Sequence, residues 1–133
     1  MNHIEEGDYI LWSINASISA RKAFFLHPLL QSDNDMTNNI NIIKNVAADP
    51  YALILAMEYR NIANQYLSHR KIASPAEISL SPIDDVNNML IADKIQNYKD
   101  FILYHRGTHP RSNELVEYFE NWLTRLKILD FDN

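Results

Sequence analysis

The chain has 133 residues, a length typical of one domain, and 47% of them are hydrophobic, which is enough to form a core. Its formal net charge is −5 at pH 7, which argues against a general nucleic-acid binder and against binding to an anionic membrane surface, because both depend on Lys and Arg. No signal peptide or apolar run of membrane-spanning length is evident, so we expect one cytoplasmic domain over residues 1–133.

The scarcity of two residue types excludes several kinds of site. There is no cysteine, so disulfides, thiol nucleophiles and cysteine-based zinc sites are excluded. Glycine occurs only at Gly7 and Gly107, so the usual Gly-rich phosphate loops and the nucleophile elbow of serine hydrolases are excluded as well. These absences favour a protein that is not an enzyme.

The first predicted helix begins at Asp8, after a polar segment over residues 1–7. Asp8 is a suitable N-cap, and we expect the helix to continue to Phe25 and to end at Pro28. Residues 10–20 also alternate between apolar and polar side chains, which is typical of a strand. We favour a helix because no second strand is evident to satisfy the backbone of a lone strand, although the pattern leaves both structures open.

Two further helices are predicted in the middle of the chain. Asp35 is a candidate N-cap for a short helix, and Asp49 followed by Pro50 is a strong start signal for a longer one. The longer helix, over about residues 50–71, is predicted to be the central helix of the fold. Its apolar side chains recur at helical spacing: Leu55, Tyr59, Ile62 and Tyr66.

The C-terminal half predicts two more helices and so a single all-α bundle of about five helices. Ser81 and Pro82 are suited to the N-cap and first position of one helix, which we expect to end at Gly107. The last helix is predicted from about residues 110–112 to Leu129, with one apolar stripe. The stripe comprises Leu115, Phe119, Trp122, Leu126 and Leu129.

A cluster of basic residues lies between the last two predicted helices. His105, Arg106, His109 and Arg111 fall within seven residues of an otherwise acidic chain. They are candidates for an anion site, because guanidinium groups and the free N–H groups of a helix N-terminus both bind phosphate or carboxylate. The alternative is that they complement the negative end of the preceding helix dipole.

A metal site is not predicted. His105 and His109 have the i, i+4 spacing of ligands on one helix face, but Gly107 and Pro110 disfavour a continuous helix there. The remaining histidines at positions 3, 27 and 69 have no spacing that indicates shared ligation. We therefore expect no metal and no cofactor.

The leading functional hypothesis is a protein-interaction module, such as an adaptor, an inhibitor or immunity-type protein, or an assembly chaperone. Tyr118 and Trp122 on the last helix are the predicted anchors, since Tyr and Trp are frequent in interface hot spots. An acidic rim would steer a basic protein partner, and the same helix could form a homodimer. The alternative is a small-anion or nucleotide-binding bundle that uses the 105–111 cluster, with phosphoester chemistry as an extension. A subunit of a helical filament or secretion apparatus is a third hypothesis.

Overall fold

The computed structural model describes residues 3–46, 49–66, 74–104, 107–108 and 111–127. These residues form six α-helices and two short 3-10 helices, and no strand is present among them, which confirms the all-α prediction. The α-helices are α1 His3–Ser13, α2 Ile18–Leu26, α3 Asp33–Val46, α4 Pro50–Gln65, α5 Asp84–Tyr104 and α6 Ser112–Arg125. The 3-10 helices are His27–Leu30 and Pro75–Glu77.

The N-terminal region contains two helices where the sequence predicted one. α1 begins at His3, so the expected polar lead is wrong, and the chain turns at Asn15, which has a left-handed backbone with φ of 59°. Ser17 then caps α2, its Oγ accepting a hydrogen bond from the N–H of Ala20. The break at Asn15 explains the ambiguous pattern over residues 10–20, because no single helical period can continue across it.

Asp8 does not cap a helix. It lies inside α1 and binds the guanidinium of Arg21 on α2, with Oδ1 2.8 Å from Nε and Oδ2 3.0 Å from the terminal nitrogen. This two-point contact joins α1 to α2 beside the turn. The residue was predicted as a cap because Asp favours that position, but a tertiary ion pair uses its carboxylate here.

The start of α4 agrees with the sequence prediction. Asp49 is the N-cap, and its Oδ1 accepts hydrogen bonds from the N–H groups of Tyr51 at 3.0 Å and Ala52 at 3.3 Å. α4 ends at Gln65 with Tyr66 as its C-cap, and the predicted continuation to residue 71 lies outside the described residues.

Three other helix boundaries differ by a few residues from their predicted positions. α3 begins at Asp33, two residues before the predicted cap. α5 begins at Asp84, because the Ser81 hydroxyl accepts the N–H of Ile83 and holds the preceding residues in a turn. α6 ends at Arg125, and the backbone at Lys127 is left-handed with φ of 66°.

α5 is the most enclosed helix, since α1, α2, α4 and α6 all pack against it. α4 lies inside the bundle too, against α2 and α5. The side chains with almost no solvent exposure belong to α5 and to the elements around it, and they form one core. They include Leu11, Phe24, Leu30, Leu55, Ile78, Val86, Met89, Leu90 and Trp122. Burying such side chains stabilises the fold by about 1.5–3 kcal/mol each.

Gly7 on α1 packs directly against the ring of Phe24 on α2. A Cβ atom at this position would overlap the ring of Phe24, which is fully buried. The ring has no free space to move into, so only a hydrogen is tolerated on the inner face of α1 here.

We expect Gly7→Ala to destabilise the protein by about 1–3 kcal/mol through overpacking, even though Ala is the better helix former. Urea unfolding followed by circular dichroism measures the change. Ser13→Ala, near the end of the same helix, is the control and should change stability by less than about 0.5 kcal/mol. Equal effects of the two substitutions would contradict the packing argument.

Candidate functional site

Three polar side chains are buried in the middle of α5. Asp93, Lys94 and Gln96 are 7%, 5% and 2% exposed. Charged residues are almost never buried to this extent unless they are paired. The bundle therefore carries an ionic cluster at its centre.

Lys94 is the cation of this cluster. Its Nζ lies 3.4 Å from Oδ2 of Asp93 and 3.2 Å from the hydroxyl of Tyr118. It also lies over the ring of Trp122, 4.9 Å from the ring centroid, which is a cation–π distance. The Tyr118 hydroxyl in turn donates to the carbonyl of Tyr66 at 2.6 Å. The ammonium is thus fixed between α5 and α6.

Two histidines approach Asp93 from the other side. His3 on α1 places Nε2 3.5 Å from Oδ1 of Asp93. The buried His27 begins the 3-10 helix and is held by Nδ1, which donates to the carbonyl of Phe24 at 2.5 Å. The two imidazole rings lie 6.1 Å apart. The Asp93 carboxylate therefore lies among groups from three different elements of the fold.

The cluster shifts the pKa values of its members in opposite directions. Burial acts to raise the pKa of Asp93, but the Lys94 charge and the His3 hydrogen bond outweigh it and hold this pKa well below its usual range. Burial lowers the pKa of His27, whereas the hydrogen bond to Asp93 raises the pKa of His3. Burial also raises the pKa of Tyr59 well above its usual value. Such opposed shifts are frequent at functional sites.

A cleft of about 490 Å³ opens from solvent onto this cluster. Its inner wall is formed by buried side chains, among them His27, Tyr59, Asp93 and Lys94. Its outer part carries the amides of Gln31, Asn64 and Asn97, which both donate and accept hydrogen bonds. The cleft therefore combines a charged floor with several amide groups in its outer part.

Arg60 on α4 forms one side of the cleft. Its terminal nitrogen lies 2.5 Å from Oδ1 of Asp33, whose side chain is 95% exposed. Its Nε is buried without a hydrogen-bond partner among the described residues. A buried donor that lacks a partner costs free energy, so this guanidinium has capacity for one more acceptor. Arg60 also borders a second, largely apolar groove of about 620 Å³.

The residues predicted for an anion site are not found together in the described structure. Arg111 is the N-cap residue of α6, and its Nε lies 2.9 Å from Oε2 of Glu114. His105, Arg106 and His109 lie outside the described residues. The anion site at 105–111 therefore stays a prediction.

The two predicted protein-binding anchors lie in the core. Trp122 has no solvent exposure and Tyr118 has 7%, because both pack around Lys94 on the inner face of α6. In this conformation neither side chain can contact a partner. The largest exposed apolar side chains lie elsewhere and include Tyr9, Trp12, Ile18, Phe25, Leu103 and Tyr104.

Among the described helices, none combines the length and the apolar character that crossing a membrane requires. No family model, curated protein or solved structure matches the chain.

The sequence of α5 carries one signal of the cluster. Val86, Leu90 and Phe101 define the buried stripe of α5, and Asp93 and Lys94 continue it at i+3 and i+4 from Leu90. Two charged residues at positions that belong to the apolar face of a helix indicate either an interruption of that face or a buried ionic site. The histidines gave no such signal, since His3 and His27 meet Asp93 only through the packing of three elements.

We expect Asp93→Leu to destabilise the protein by about 3–5 kcal/mol, because it leaves the buried Lys94 without its carboxylate. The double variant Asp93→Leu/Lys94→Met removes both charges and should be more stable than the single variant. Equilibrium urea unfolding of the four proteins of this double-mutant cycle measures the coupling. Simple additivity of the two substitutions would show that the pair is not coupled.

His27 makes stability depend on pH. Asp93 on α5, His3 on α1 and Tyr59 on α4 face its ring. The pKa of His27 is lower in the folded state than the usual 6.5. As pH falls below about 6.5, the unfolded chain therefore binds more protons than the folded chain does, and the stability of the fold decreases. His3 has the opposite effect on the pH dependence of stability. Its pKa is raised in the folded state, so its stabilising contribution is lost as pH rises.

The substitution His27→Gln isolates this contribution. We expect the variant to melt at a lower temperature than the wild type at pH 7.5, and the difference to shrink as pH falls to 5. Thermal melts at several pH values measure it. A difference that is constant across this range would contradict a buried neutral His27.

Proposed function

We propose that the protein binds a small polar ligand with an anionic group, such as a phosphate or carboxylate, in the cleft above the Asp93–Lys94 pair. The observation that carries the proposal is Arg60, which lines a cleft that already contains a second cation and whose Nε is a buried donor without a partner among the described residues. The class of ligand is the same as in the small-anion alternative from the sequence, but the site is this cleft and not the 105–111 cluster.

The size and the lining of the cleft support a ligand of this kind. A volume of about 490 Å³ falls within the range of small-molecule sites. Polar groups converge on the cleft from three elements, since Tyr59 and Asn64 lie on α4, Asn97 lies on α5 and Tyr118 lies on α6. Convergent hydrogen-bonding groups at the wall of a cleft are the usual means of orienting a ligand.

The charge of the lining favours an anion. Arg60 and Lys94 contribute two cations against the one carboxylate of Asp93. Asp33 would compete only weakly with a ligand anion for Arg60, because an ion pair with so exposed a carboxylate contributes at most about 1 kcal/mol. A ligand phosphate or carboxylate could replace Asp33 and also accept the free Nε–H in a two-point contact.

The burial of Asp93 and Lys94 is better explained by a ligand-binding role than by a contribution to stability alone. A buried ion pair stabilises a fold no better than apolar residues of similar volume, while breaking it is costly. Its position at the floor of an open cleft gives the pair access to a ligand. Binding of a protein partner, homodimerisation and a cytoplasmic location stay predictions from the sequence.

We expect at least one of inorganic phosphate, adenosine 5′-monophosphate and succinate to raise the melting temperature. At a concentration of about 100 times its dissociation constant, a ligand adds about 2.7 kcal/mol of stability, which corresponds to a shift on the order of 8 °C for a chain of this size. Differential scanning fluorimetry measures the shift, and isothermal titration calorimetry measures the affinity.

Arg60→Gln should weaken binding of the responding compound by about 10- to 100-fold, because a charge-assisted hydrogen bond contributes about 1.5–3 kcal/mol. Arg21→Gln is the matched control, since Arg21 also pairs with an aspartate but lies outside the cleft. An equal response to all three compounds in wild type and Arg60→Gln would contradict the site, and no response to any of them would contradict this ligand class.

A further inference from the structure

His3, His27 and Asp93 converge on one point inside the bundle. Each offers one ligand atom, and the three atoms lie within 4.8 Å of one another. The residues come from α1, the first 3-10 helix and α5, so the fold assembles the group from three elements. Two imidazoles and one carboxylate are a ligand set that binds divalent transition metals such as zinc and iron.

The hydrogen bonds around His3 determine which of its nitrogens carries a proton. The Gln96 amide nitrogen donates to Glu6 at 3.2 Å and to Asp100 at 2.6 Å, both of which are carboxylates. The Gln96 oxygen is therefore the atom that contacts His3 Nδ1, and it can only accept. Nδ1 must carry a proton, so Nε2, which faces Oδ1 of Asp93, is the nitrogen that can bind an ion once the ion displaces the proton it shares with that carboxylate.

His27 is oriented in the same way. Its Nδ1 lies 2.5 Å from the backbone carbonyl of Phe24, which is also only an acceptor, so Nδ1 donates and Nε2 keeps its lone pair. Metal-binding histidines almost always donate their second N–H to a carbonyl or carboxylate group. Both imidazoles therefore already have the outer hydrogen bond that such ligands require.

The distances suit a bound ion after a small adjustment. Ligands that lie about 2.0–2.2 Å from a zinc ion in tetrahedral geometry are about 3.3–3.6 Å apart. The separation of 3.5 Å between His3 Nε2 and Asp93 Oδ1 already meets this spacing. The widest separation in the group is at most 4.8 Å, so it has to close by at most about 1.5 Å. The His3 side chain is 35% exposed, so it is the ligand with the most room to adjust.

We propose that His3, His27 and Asp93 bind a divalent transition-metal ion of the zinc or iron(II) type. Lys94 does not prevent this, because it contacts Oδ2 of Asp93 whereas His3 faces Oδ1. His27 and Asp93 also line the cleft, so an ion bound by them would adjoin its interior. Three protein ligands with an open position are the arrangement of catalytic zinc sites rather than of closed structural ones.

The test titrates metal into the full chain after treatment with a chelator and dialysis. We expect one Co²⁺ ion per chain, measured by visible absorption, and one Zn²⁺ ion, measured by competition with a chromogenic chelator and by native mass spectrometry. His3→Gln and His27→Gln should each weaken Zn²⁺ binding by roughly 100-fold or more, since loss of an outer hydrogen bond alone costs 10- to 100-fold.

The matched control is the double variant His105→Gln/His109→Gln. It removes the pair of histidines with i, i+4 spacing and should bind Zn²⁺ as the wild type does. Circular dichroism establishes that each variant is folded, and Asp93→Asn provides a second test at the third ligand. Wild-type protein that binds no ion at millimolar Zn²⁺, or binding that survives in folded His27→Gln, would overturn the site. The histidine variants leave Arg60 in place, so failure of the metal site is distinguishable from failure of the anionic-ligand proposal.

Discussion

The fold depends on keeping two opposite charges together at positions that are almost fully buried. Asp93 and Lys94 are adjacent on α5, and α1, α4 and α6, which all pack against α5, each place a polar or aromatic group beside them. An isolated buried charge would cost several kcal/mol, so the surrounding helices must supply partners as well as apolar surface. α6 supplies a hydroxyl and an aromatic face, and α1 supplies an imidazole.

This constraint also accounts for the shape of the α1–α2 corner. His3 reaches the cluster only if α1 lies close to α2 and α5, and the absent side chain of Gly7 permits that approach over the Phe24 ring. The turn at Asn15 and the Asp8–Arg21 contact then hold the two helices at this distance. A small residue, a turn and an ion pair between α1 and α2 thus position His3, which is 35% exposed, beside the buried Asp93.

Much of the fold could be predicted from the sequence, because helix signals are local. The Asp49–Pro50 start of α4 and the apolar stripe of α6 depend on neighbours within one or two turns, and both are present. The break between α1 and α2 was missed since it depends on a single left-handed residue, Asn15, that has no strong composition signal. The site could not be derived in the same way, because His3 and His27 are brought to Asp93 by tertiary packing alone.

The same packing separates the two tryptophans of the chain into contrasting environments. Trp12 is 60% exposed on α1, whereas Trp122 is fully enclosed with the Lys94 ammonium over its ring. Indole emission shifts with the electric field and the polarity around the ring, so Trp122 is an internal optical reporter of the charges at the cleft floor. A chain with Phe at position 12 would emit from that reporter alone, and events in the cleft would become visible without any added dye.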